Sequence, residues 1–172
     1  MSVLRFTGHV PPGRNFFALT VMFLLVLLIL TPCARNTNVE PTPPTIHYGE
    51  DVCELCNMII NDERYAADYF TSDGQAHLFD DIGDMVQAHL KNQDEVVAFF
   101  AHDYQDKGWL RAEKATYVRS DQLPTPMASG LVAFNSPDKA KTLAAEVQGQ
   151  VMTFEELLSH YQANPMDQGM DH

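Results

Sequence analysis

The chain has 172 residues, 23 of them acidic and 11 basic, with a formal net charge of −12 and 45% apolar side chains. That length suits one compact domain or two small subdomains once the N-terminal region is set aside. Every acidic residue but only nine basic ones follow position 32; such a surface repels phosphates, which argues against nucleic acid as a partner, and favours solubility and loose attraction of cations.

Arg5 and Arg14 flank the start of the chain, and Phe16 to Leu30 is apolar except for Thr20. A positive segment followed by an apolar run of about 15 residues describes a signal peptide, since crossing a bilayer usually takes about 20. Leu30-Thr31-Pro32-Cys33 resembles the bacterial lipobox, whose cysteine becomes the lipid-modified first residue of the mature protein, although Pro32 stands where a small residue is usual. Residues 1–32 are therefore expected to form a signal peptide, with Cys33 lipidated, or an uncleaved N-terminal anchor. Either outcome leaves an extracytoplasmic domain held at a membrane. Residues 33–46 hold three prolines among short polar residues, too little apolar surface to fold, and read as an extended tether.

Asp51-Val52-Cys53-Glu54-Leu55-Cys56-Asn57-Met58 then gathers two thiols and a thioether within six positions. With Cys33 assigned to the N-terminus, Cys53 and Cys56 remain as a pair. Their Cys-x-x-Cys spacing has four readings. A structural disulfide suits an oxidising compartment. A thioredoxin-like redox motif needs a strand before the cysteines and a helix after them, whereas a linker precedes them here and strand-like residues follow. A zinc site needs a second Cys or His pair, and His47, His77, His89, His102, His160 and His172 form none. The fourth reading is Cu(I): Met58 adds a soft thioether, and Cys56 and Met58, two apart in an extended segment, would point to one side. Cys56 with Met58 is the preferred ligand pair, with Cys53 either completing a trigonal site or oxidising with Cys56.

Tyr65 to Phe70 and Gln75 to Asp80 have strand-like composition around a Ser72-Asp73-Gly74 turn. From Asp80 to Leu90 the residues Ile82, Met85, Val86, His89 and Leu90 fall at helical spacing, with Asp80, Asp81 and Asp84 read as N-terminal charges complementing the dipole and Met85 as core. Val96 to His102 is a buried strand. The second half repeats the order: strands at 115–119 and 130–134, a helix at 137–147 capped by Ser136 with Pro137 first, a short strand at 150–154, and a last helix at 155–163. The expected fold is α+β, two tandem ββαβ units plus a C-terminal helix, over 47–163. Trp109, Tyr104 and Tyr117 are expected at the seam between the units. Residues 164–172, with Met166, Met170 and His172, read as a disordered tail. No Ser-His-Asp order or glycine-rich phosphate loop points to hydrolysis or phosphoryl transfer.

Residues 47 to about 154 resemble NosL, the nitrous oxide reductase accessory lipoprotein. The resemblance rests on Cys53-x-x-Cys56-x-Met58 followed by Ile59 to Ala67, on Phe79 to Met85, on Asp103-Tyr104 with Trp109-Leu110-Arg111-Ala112, on Ala115 to Val118, and on Pro126-Met127-Ala128-Ser129-Gly130 with Ala133-Phe134. Asn57 departs from it, since the family often has Gly there. The resemblance implies an outward-facing lipoprotein that binds Cu(I) and supplies copper to nitrous oxide reductase, with ββαβ units related to organomercurial lyase. It also makes Met127, after Pro126, a candidate ligand from the second unit, against the alternative of a core gap-filler. The expectation is thus a metallochaperone that passes copper on by ligand exchange and is not an enzyme. The competing readings are a thiol-disulfide oxidoreductase using Cys53 and Cys56, and a permanent structural disulfide.

Overall fold

The structure, a computed structural model, describes residues 41–164. The expected signal peptide or anchor, Cys33 and nearly all of the expected tail lie outside the described residues. None of the described helices is long and apolar enough to cross a membrane.

Two ββαβ units follow one another, as the order of hydrophobic runs and turn residues predicts. In the first, β1 (Ala67–Thr71) and β2 (Ala76–Phe79) form a hairpin, α1 (Ile82–Asn92) crosses over, and β3 (Val96–His102) returns. In the second, β5 (Thr116–Arg119) and β6 (Leu131–Phe134) pair, α2 (Pro137–Glu146) crosses over, β7 (Gln150–Met152) returns, and α3 (Phe154–Ala163) ends the described chain. Between the units lie β4 (Trp109–Arg111) and a single 3-10 turn, Ala112–Lys114, neither of which the sequence pattern announced. Strand order is β2-β1-β3-β4 in one sheet and β6-β5-β7 in the other. Both units therefore place their first strand in the centre, antiparallel to both neighbours. That shared topology supports a repeat more strongly than the residues do.

The helix ends are set by local chemistry. Asp81 caps α1, the Ser136 hydroxyl accepts from Lys139 N to cap α2 ahead of Pro137, and Thr153 with Glu156 forms a reciprocal capping box on α3. β3 is buried over its last five residues, which is why its sequence is apolar without alternation.

One core runs through both units. Tyr69, Phe79, Ile82, Met85 and Val86 of the first pack with Tyr117, Leu131, Met152, Phe154, Leu157 and Tyr161 of the second. Ile46 is already part of it, one residue before the expected start of the domain. A smaller cluster gathers Tyr65, Val118, Val132, Phe134 and Ala140. Of the three aromatics expected at the seam, Tyr117 is buried in the shared core, and Tyr104 lies between Tyr65 and Phe134, at 6.0 and 5.8 Å between ring centres. Trp109, partly buried, packs against the edge of that core and lies 3.8 Å, tilted, from His102, its partner within the same sheet. The backbone also joins the units, through the parallel bridge Asp103 to Ala133 and the bond from Tyr104 N to Ala133 O, 2.8 Å.

Candidate metal centre

The segment carrying the thiols is a closed loop rather than an extended strand. Val52 and Ile59 form an isolated antiparallel bridge, Cys53 N donates to Met58 O at 2.8 Å, and Asn57 N donates to Cys53 O at 3.0 Å. The reversal falls on Asn57, whose φ of 60° lies in the left-handed region that Gly and Asn tolerate best. Residues 53–58 are thus not the extended segment that would put Cys56 and Met58 on one side; the chain turns back at Asn57, a position where a family Gly would serve the same purpose. Glu54 N donating to Leu78 O, at 3.0 Å, and the Glu54 carboxylate against His77 Nδ1, at 2.7 Å, pin the loop to β2.

Cys53 is buried and Cys56 half-buried, and both are free thiols. Each donates to a carboxylate at the start of α1: Cys53 Sγ to Asp84 Oδ2 and Cys56 Sγ to Asp80 Oδ1, both at 3.4 Å. Ligand atoms of Cys53, Cys56, Asp80 and Asp84 all lie within 4.8 Å of one another. The second oxygen of Asp80 is buried and meets no hydrogen-bond donor. Burial pushes the Cys53 thiol well above its ordinary range and Cys56 up to about 11, with the negative charge of Asp80 adding to both. Burial, and then the charge of Asp81, pushes Asp84 up to about 6.

Two thiols and two acids crowded out of water, with one oxygen left unsatisfied, form a costly arrangement that a bound cation relieves. The thiols must lose their protons to ligate, and the carboxylates beside them are placed to accept those protons. Asp80 and Asp84 are the residues that sequence reasoning missed as participants. Their signal was a surplus: one acid suffices to cap a helix, and Asp81 takes that part, its Oδ1 accepting from Gly83 N at 2.7 Å. The zinc reading, set aside for want of a second Cys or His pair, also regains two donors here, since carboxylates ligate zinc.

Met58 is about half exposed, at 48%, on the same loop. Met127 comes from the second unit. Its main-chain N–H donates to Asp81 Oδ2 at 3.1 Å, which brings its loop against the end of α1 that carries Asp80 and Asp84. Among the described residues, no other group of three or more His, Cys, Asp or Glu converges as a metal site.

Fold and site together define a class: a two-unit α+β domain that closes a partly buried pair of free thiols over two acids at the N-terminus of its first helix. Comparison with known proteins gives the class a family. The family model NosL matches residues 44–162. The chain belongs to the NosL family. It is 25% identical over 149 residues to the copper-binding lipoprotein NosL of Stutzerimonas stutzeri, covering 80% of this chain and 78% of that one. Its fold resembles the crystal structure of the copper chaperone NosL from Shewanella denitrificans, with a TM-score of 0.59 and 20% identity over 67% of this chain and 96% of the other.

Proposed function

We propose that this protein is an extracytoplasmic, membrane-tethered carrier that binds one Cu(I) through Cys56 and Met58, with Cys53 and Met127 completing the set, and hands it to an acceptor, nitrous oxide reductase. The observation that carries the reading is the convergence of two free thiols, on a loop that also bears Met58, with two buried carboxylates at the start of α1, one of which has an unsatisfied oxygen. The relatives' names, copper-binding lipoprotein and copper chaperone, supply the metal; the sulfur donors argue for its monovalent state. Copper is cargo here. Each thiol that ligates releases one proton, to a neighbouring carboxylate or to water, and regains one when the copper leaves. Because Met58 is half exposed while Cys53 is buried, an acceptor ligand approaching from solvent replaces the thioether first. Transfer then proceeds by ligand exchange without release of the free ion.

The thiol-disulfide oxidoreductase reading has less support. A redox nucleophile needs a depressed thiol pKa, often at a helix N-terminus. Both thiols here are raised, by burial first and then by the charge of Asp80, even though they face the start of α1.

The test is an anaerobic Cu(I) titration of the reduced, full-length protein against a chromophoric chelator. One copper per chain, lost in Cys53→Ser/Cys56→Ser, is expected. A wild-type protein that competes no better than that double variant overturns the proposal.

A further inference from the structure

We infer that Asp81 is the positioning residue that makes the copper site a joint property of the two units, by holding the loop of Met127 against the helix end that faces the thiols. This rests on the reading of Met127 as a ligand and deepens it.

Three sets of contacts meet on one carboxylate. Asp81 is fully buried, and its Oδ1 caps α1 through Gly83 N at 2.7 Å. Its Oδ2 takes the N–H of Met127 at 3.1 Å. Burial pushes the Asp81 carboxyl up, and the nearby hydroxyls of Ser129 and Thr125 work against that. Those hydroxyls lie 3.2 Å apart and hold the rest of the loop, Thr125 Oγ1 accepting from Gly130 N and Ser129 Oγ from Leu131 N. Residues 125–131 are thus wrapped around a side chain of the other unit. The approach is close. A Cβ on Gly83 would fall 2.6 Å from the Tyr161 hydroxyl and 2.7 Å from the Ser129 Cβ. Asp80 and Asp84, the acids that meet the thiols, lie one residue before this cap and one turn after it.

A helix cap alone needs one acceptor oxygen, and Ser or Asn serves as well as Asp. What the cap does not explain is the second oxygen, which is spent on the loop of Met127. Each oxygen of the Asp81 carboxyl accepts from a different element, one from the helix and one from the loop, so the one side chain serves both at once. An Asn has one such oxygen and presents an NH₂ to any donor on its other side.

The test uses full-length Asp81→Asn, Met127→Leu and the double variant, each reduced and loaded with Cu(I). Asn keeps the cap and turns a donor toward Met127 N–H. Removing a partner that orients a ligand costs about 10- to 100-fold in metal affinity. Asp81→Asn and Met127→Leu are each expected to lose affinity in that range, with the double variant no weaker than the weaker single. Copper X-ray absorption should show one sulfur fewer in both singles. Equal sulfur counts in wild type and Asp81→Asn, with affinity losses that add in the double variant, overturn the positioning role. A Met127→Leu protein that binds as wild type, while Cys53→Ser/Cys56→Ser still loses copper, removes Met127 from the ligand set and this inference with it, leaving the thiol site standing. Only a Cys53→Ser/Cys56→Ser protein that binds Cu(I) as well as the wild type overturns the proposed function itself. Should Asp81→Asn not fold, Asp81→Ser keeps a capping oxygen for the helix, leaves Met127 N–H without its acceptor, and carries the same comparison.

Discussion

Asp68 contributes to stability in an unusual direction. It is the second residue of β1, opposite Leu78 and Phe100, fully buried, with neither carboxylate oxygen meeting a donor. Burial alone pushes its carboxyl up to about 8. Between about pH 4 and pH 8 the folded protein therefore keeps a proton that the unfolded chain has lost. The unfolded state binds fewer protons there, so stability falls as pH rises, by up to about 1.4 kcal/mol per unit, and levels off above about pH 8. Thermal midpoints measured from pH 5 to pH 8 are expected to fall more steeply for the wild type than for Asp68→Asn; parallel curves would show that Asp68 ionises freely. Met58 makes the other prediction at this scale. In the proposed ligand set it offers its sulfur from an exposed position, and it belongs to neither core cluster, so Met58→Ala should lower Cu(I) affinity on the order of tenfold, about 1.4 kcal/mol. The thiol titre and the midpoint of the copper-free protein should stay unchanged. A loss of thiol titre would instead assign Met58 to folding of the loop.

Among the elements, the loop of residues 125–130 is the most constrained piece near the site. It closes on Gly130, at a φ of 65°, where an added Cβ would lie 2.2 Å from the carbonyl oxygen of Ser120. Both the backbone angle and the contact forbid a side chain. Gly130→Ala should cost about 2 kcal/mol or more in denaturant unfolding, the range of overpacked and strained sites, and should weaken copper binding in the fraction that remains folded. How legible these elements were depended on what fixes them. β3 was readable at its observed bounds because burial on both faces leaves an unbroken apolar run, and α2 because Ser136 and Pro137 announce its start. β4 was not: Trp109-Leu110-Arg111 is three residues long and owes its conformation to pairing with β3. The thiols, Met58 and Met127 stood out by type. Asp80 and Asp84 did not, because acids in a first helical turn already have a sufficient explanation, and only the tertiary fold brings them to cysteines 24 to 31 residues earlier.

For the whole molecule, the shared core and the wrapped carboxylate of Asp81 make the two units one cooperative body. Tyr117, Leu131, Phe154 and Tyr161 complete the core of Tyr69, Phe79 and Ile82, so neither unit buries its own apolar face alone. Unfolding by denaturant is therefore expected as a single transition by both tryptophan fluorescence, which reports on Trp109 in the first sheet, and far-ultraviolet circular dichroism, which reports on both. Copper sharpens the test. A ligand that binds only the folded state adds about 2.7 kcal/mol at a free concentration of 100 times Kd. Because the units share one core and unfold together, that gain belongs to the whole body, and Cu(I) should move the fluorescence and dichroism midpoints upward together. In Met127→Leu the added stability should shrink in step with affinity while the two probes still coincide, since the core that joins the units does not depend on that sulfur. Two separated transitions, with copper shifting only one, would mean that the thiol loop and the second unit act independently and that the metal is held by the first unit alone.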